Sequence, residues 1–149
     1  MHVSVDFVTY RRANRAKKRL PTPSNFWRNA MLILIAGPVR SGTNGNQVLI
    51  HENIKKLDQI ALQVYQRGHT PVIGEWLALP LASAAGSQKI GDEISESFLY
   101  PVAHRLIHCC DAILRIPGAS QGADNDVRIG KERGMAIFTQ LDEIPVIEG

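Results

Sequence analysis

Leu32-Ile33-Leu34-Ile35-Ala36, followed at once by Gly37-Pro38-Val39-Arg40-Ser41-Gly42-Thr43-Asn44-Gly45-Asn46, is the stretch from which the architecture is read. Five apolar residues without polar alternation describe a strand buried on both faces, which is a parallel strand with helices on either side. From Gln47 the period changes. Leu49, Ile50, Ile54, Leu57, Ala61, Val64 and Tyr65 fall on one helical face at spacings of about 3.6, and Gly68 closes the helix. Residues 70–73 form a second strand that emerges at Gly74-Glu75-Trp76. A Leu/Ala/Ser/Gly-rich segment over 77–91 lacks clear periodicity and reads as a short helix plus a lid. A second helical region covers 92–109, with Pro101 either kinking it or starting a new helix. The third strand is expected over 112–116, a helix over 127–133 closed by Gly134, the fourth strand over 135–139, and a fifth edge strand over 145–147. The segments Arg67-Gly68-His69-Thr70-Pro71-Val72-Ile73 and Arg133-Gly134-Met135-Ala136-Ile137-Phe138-Thr139 repeat a helix end, a glycine and a buried strand, as successive units of one sheet do. Right-handed crossovers make this a doubly wound parallel α/β sheet of four to five strands in the order 2-1-3-4-5.

Bulk composition narrows the classes of function. A length of 149 residues and 44% hydrophobic content suit one domain with its own core. The net charge of +3 is unevenly spread: residues 1–30 hold seven Lys/Arg against Asp6 alone, so the remaining 119 residues carry −3. The body therefore lacks the basic face of a specific nucleic-acid binder. No apolar run approaches the ~18 residues of a membrane span. Cys109 and Cys110 are adjacent and make no disulfide framework, which fits a cytoplasmic protein. Residues 1–30 read as a basic, loosely ordered leader ahead of one domain over 31–149. Met31, directly before the first strand, is an alternative start.

The topology brings chemistry to one place. In such a sheet the ligand crevice lies outside the carboxyl ends of the strands where the winding reverses, here between strands 1 and 3. The loops meeting there are 37–46, from which Gly37, Pro38, Arg40, Ser41 and Asn46 are candidate ligand contacts, and 117–126, which offers Gly118, Ser120, Gly122, Ala123 and Asp124. Glu75 and Trp76 arrive from strand 2. Neither a Gly-Lys-Ser/Thr phosphate loop nor Gly-x-Gly-x-x-Gly follows strand 1, so nucleoside triphosphate and dinucleotide enzymes are disfavoured. His104, His108, Cys109 and Cys110 have metal-like spacing, but the two cysteines point in different directions and read as core. No metal and no cofactor are called for. Carboxylates remain: Asp126, placed in the first helical turn where the dipole keeps it ionised, suits attack on an anomeric carbon. Glu75, beside apolar Trp76, suits the partner acid, and His104 is a second candidate for proton transfer.

Several ordered segments resemble the nucleoside 2-deoxyribosyltransferase-like superfamily, closest to its small uncharacterised members, over about residues 31–139. They are the strand leading to Gly37-Pro38, the helix end Arg67-Gly68-His69, Cys110-Asp111-Ala112-Ile113 entering strand 3, and Pro117-Gly118-x-Ser120-x-Gly122-Ala123 before an acid. The resemblance implies a flavodoxin-like sheet, a homodimer or higher homo-oligomer, and hydrolysis or (deoxy)ribosyl transfer at the N-glycosidic bond of a nucleoside or nucleotide. It also implies a nucleophilic Glu after the Gly-Ala turn, a position held here by Asp126, and a second acid at a position held here by Ala103. A fainter similarity joins Pro117-Gly118 and Gly122 to the Pro-Gly-Gly-x-Gly-Thr loop of phosphoribohydrolases and points to the same substrates. The alternative is a domain that binds or senses a nucleotide-like ligand without turnover. In either case the expected partner is a small molecule, with neither specific nucleic acid nor membrane.

Overall fold

A computed structural model describes residues 29–147; the readings made for the leader fall outside these residues, Asn29 and Ala30 excepted. The elements run β1 (Leu32–Ala36), α1 (Gln47–Gln66), β2 (Thr70–Val72), α2 (Gly74–Ala84), α3 (Glu93–Ile107), β3 (Ala112–Arg115), α4 (Gln121–Glu132) and β4 (Ala136–Phe138), with a 3-10 turn at Leu141–Glu143. All pairings are parallel and the order is β2-β1-β3-β4. This is a flavodoxin-like α/β arrangement. Leu34 sits opposite Val72 on one side and Ile113 on the other, so β1 is central.

The period-2 alternation of β1 divides the core into two layers. Ile33 and Ile35 pack with Ile50, Leu57, Ala61 and Val64 of α1 and with Ile73, Leu114 and Ile144. Leu34 and Ala36 face the other way, against Ile107 of α3, Ile113 and Ala123 of α4. Each large aliphatic side chain buried in this way contributes roughly 1.5–3 kcal/mol, and β1 has no face left for polar residues. The unbroken apolar run is thus explained by helices on both sides.

Four expectations are corrected. No fifth strand forms over 145–147: after the 3-10 turn the chain runs back to the α1–β2 connection instead of lying beside β4. There Ile147 donates its N–H to the Arg67 carbonyl (2.9 Å), Arg67 Nη1 donates to the Ile144 carbonyl (2.9 Å), and the buried His69 donates from Nε2 to the Pro145 carbonyl (2.7 Å). His69 Nδ1 accepts from the Met31 N–H (3.1 Å), so this imidazole ties three segments together as a structural residue. Gly68 makes the close approach possible, because at φ +92° a side chain is strained and a Cβ would stand 2.7 Å from the Ile147 carbonyl oxygen.

The second correction concerns the start of α4, at Gln121 rather than at Val127. Ser120 is its N-cap and accepts from the Ala123 N–H at 3.2 Å. The polar run Gln121 to Asp126 hid this first turn from a search for apolar periodicity. Third, the short helix expected within 77–91 is present but starts earlier, at Gly74, and runs eleven residues to Ala84. The turn behind it is tied down: Asp92 accepts from Ser87 Oγ and from the N–H groups of Gln88, Lys89 and Ser95, which holds its carboxyl well below the usual range. Gln47 clasps Ile90 through both its amide oxygen and its nitrogen, each at 2.9 Å. Fourth, of the two readings of Pro101, a kink or a new start, the new start is excluded, since α3 runs through it from the Asp92 cap to Ile107.

Candidate functional site

A cavity of about 250 Å³ opens at the carboxyl ends of β1 and β3, where the winding reverses. The strand ends supply its floor (Leu34, Ile35, Ala36). The β1–α1 loop adds Gly37, Val39, Arg40 and Ser41, the start of α2 adds Gly74 and Glu75, and α4 adds Ser120, Gln121, Gly122, Ala123 and Asp126. One face of α3 completes the wall with Leu99, Tyr100 and Ala103.

Glu75 and Asp126, from different elements, line the same cavity, and the charge of Glu75 acts on Asp126. Burial pushes the Glu75 carboxyl up, against the opposing pull of its own backbone N–H at the start of α2 and of the Arg40 guanidinium. Burial and then the negative charge of Glu75 push Asp126 up to about 7, with Arg115 opposing. Asp126 was expected in the first helical turn, kept ionised by the helix dipole. It lies in the second turn of α4, withdrawn from solvent, where the dipole has faded and desolvation dominates. Raised to about 7, the Asp126 carboxyl exchanges its proton near neutrality, beside a second carboxyl that burial also raises.

The other candidates divide. Arg40 reaches the cavity and forms an ion pair with Glu96 of α3, linking the β1–α1 loop to the helix opposite. Gly37, Ser41, Ser120, Gly122 and Ala123 also line the cavity. Asn46 is outside the lining and caps α1, accepting from the N–H groups of Val48 (3.0 Å) and Leu49 (3.2 Å). Trp76 turns to α1, where its indole N–H donates to Asp58 at 2.8 Å. Asp124 pairs with Arg115, whose guanidinium also donates to the carbonyls of Ile116 and Gly118 and so shapes the β3–α4 loop from within. His104 is likewise absent from the lining; its Nε2 accepts from Asn125 Nδ2 at 3.1 Å. Cys109 is exposed and the half-buried Cys110 thiol is pushed up to about 11, chiefly by burial. Among the described residues no group of three His, Cys, Asp or Glu side chains could hold a metal ion, and no helix is long and apolar enough to cross a membrane.

Pro38 and Gly118 are also outside the lining, but they join the two loops that frame the cavity. At φ +117° Gly118 adopts a backbone that L side chains rarely take, and a Cβ there would stand 2.7 Å from Pro38 Cγ. Gly118→Ala is expected to cost about 1–3 kcal/mol from backbone strain alone, with a further loss from the clash, measured by urea denaturation. In a Pro38→Ala background the clash contribution disappears and the backbone contribution stays. Equal losses in both backgrounds would show that the two loops do not press on each other.

Sequence reasoning missed the wall from α3. Its signal was present in the spacing of Glu96, Leu99, Tyr100, Ala103 and Ile107, which puts one helical face toward the cavity and the core below it. Compared with protein-family models, with curated proteins and with solved structures, the chain matches none.

Proposed function

We propose that the cavity cleaves or transfers the N-glycosidic bond of a nucleoside or nucleotide, with Glu75 as the attacking carboxylate and Asp126 as the acid. The observation that carries the reading is a pair of carboxyl groups lining one cavity, both raised by burial, Asp126 to about 7, where it can still hold its proton near neutrality. Two acids with separated proton affinities are what displacement at an anomeric carbon requires. Glu75, supported by its backbone N–H and by Arg40, bonds to C1′ as the C1′–N bond breaks. Asp126 gives its proton to the departing base. Water or a second base then attacks C1′, releases the Glu75 carboxylate and returns a proton to Asp126. The roles are the reverse of those expected from sequence, and the support for this is that desolvation raises Asp126, there read as the nucleophile, to about 7. Arg40, Ser41 and the N-terminal turn of α4 suit the ribose or a 5′-phosphate. The resemblance to the deoxyribosyltransferase-like proteins points to the same chemistry.

A second reading rests on Ala103. It lines the cavity at the position where that resemblance implies an acid, which favours a domain that binds a nucleotide-like ligand without turning it over. Incubation with nucleosides and 5′-nucleotides, followed by chromatographic detection of freed base, separates the two. Base release supports the enzyme. Ligand-dependent thermal stabilisation without release supports the binding domain, and neither response with any nucleoside or nucleotide rejects both.

A further inference from the structure

We infer that Tyr100 is the platform on which this cavity takes a planar base, so that the site selects base-bearing ligands over bare sugar phosphates. The inference rests on the reading of the cavity as a nucleoside or nucleotide site and adds how the base is held.

Tyr100 is the one aromatic side chain among the lining residues, and it stands at the cavity with 43% of its surface exposed. The lining is divided by polarity. Arg40, Ser41 and the start of α4 offer charge and N–H groups, whereas Leu99, Tyr100 and Ala103 of α3 offer an apolar face with a ring in it. A nucleotide has the same division, with a charged and hydroxylated end and a flat, weakly polar end. An aromatic ring is a sequence-tolerant surface for any nucleobase, because every base presents a π-face.

The ring is braced from behind by a chain of polar contacts that no step of the proposed chemistry uses. His104, one helical turn further along α3, packs edge-on to Tyr100, with ring centroids 6.3 Å apart and planes at 61°. Asn125 Nδ2 donates to His104 Nε2, and Arg128 donates to Asn125 Oδ1 through Nε (3.2 Å) and Nη2 (2.7 Å) while also pairing with Glu132. Those bonds from Arg128 fix the Asn125 amide so that its nitrogen faces His104. A ring ordered before the ligand arrives loses little freedom on binding. His104, expected from sequence to transfer protons, is on this account a positioning residue for Tyr100.

The test is calorimetric titration of the full chain with the common 5′-ribonucleotides and 5′-deoxyribonucleotides and with ribose 5-phosphate. For the tightest nucleotide, Tyr100→Leu should weaken binding by about fivefold to a hundredfold and leave ribose 5-phosphate unchanged, while Tyr100→Phe stays close to wild type. His104→Leu should give a smaller loss that is again confined to nucleotides. If Tyr100→Leu weakens nucleotide and ribose 5-phosphate alike, or neither, the platform is refuted and the cavity reading stands. If wild-type protein binds ribose 5-phosphate as tightly as every nucleotide, selection by the base is refuted. If it binds none of these ligands, the reading of the cavity fails and the platform with it.

Discussion

Glu75→Gln and Asp126→Asn are each expected to lower the release of base by about 10²–10⁴-fold, the range of a lost acid, base or nucleophile. The two variants should differ in their pH dependence. The proposed mechanism requires a proton on Asp126 and a charge on Glu75, so wild-type turnover is expected to fall as pH rises through about 7, where Asp126 loses its proton. It falls again on the acid side as Glu75 becomes protonated, since burial raises that group too. Asp126→Asn should abolish the alkaline limb and keep the acid one. In Glu75→Ala, added azide should restore turnover and yield the glycosyl azide, which a merely structural role for Glu75 would not allow. An alkaline limb that survives in Asp126→Asn would mean that another group supplies the proton.

The same substitution should stabilise the fold above neutrality. Unfolded Asp126 gives up its proton near the ordinary value of 3.8, whereas in the folded protein it holds the proton to about 7. Between these values the native state binds the extra proton, so stability falls as pH rises through the window and the full penalty is in place above it. At ~1.4 kcal/mol per pH unit, that penalty is on the order of 4 kcal/mol. Asn cannot ionise and so escapes both desolvation and repulsion from Glu75. The difference in urea-unfolding free energy between Asp126→Asn and wild type should shift in favour of the variant from pH 4 to pH 8 by up to this amount. A difference that does not change with pH would show that Asp126 is not held against its charge. Lower stability with higher activity is the usual cost of keeping a reactive group in a desolvated place.

What could be read from the chain and what could not follow one physical division. Residues 32–36 specify a doubly covered parallel strand because burial on both faces demands apolar residues at every position, a pattern that does not depend on neighbours. The α1 stripe and the helix-glycine-strand ends at 67–73 and 133–139 are equally local, and with right-handed crossovers they imply the observed order β2-β1-β3-β4. That order places the crevice, and Gly37, Arg40, Ser41, Glu75, Ser120, Gly122, Ala123 and Asp126, all from loops that the topology brings together, line it. The local signal failed where polar residues form helix, as at 121–126, and where an edge is decided by competition, as at 145–147. There the buried His69 and the Arg67 carbonyl offered the chain end better partners than β4.

By itself, then, the sequence determined which faces are apolar, where strands alternate with helices, and hence which loops meet. Only the tertiary structure decided what each side chain does there. It turned Trp76 toward Asp58, Asp124 toward Arg115 and His104 toward Asn125, and it brought Tyr100 to the cavity. It also buried Asp126 beside Glu75 and so raised its carboxyl to about 7. A carboxyl group's charge is set by the desolvation and the other charges around it, and these come from residues dozens of positions away that only folding makes neighbours.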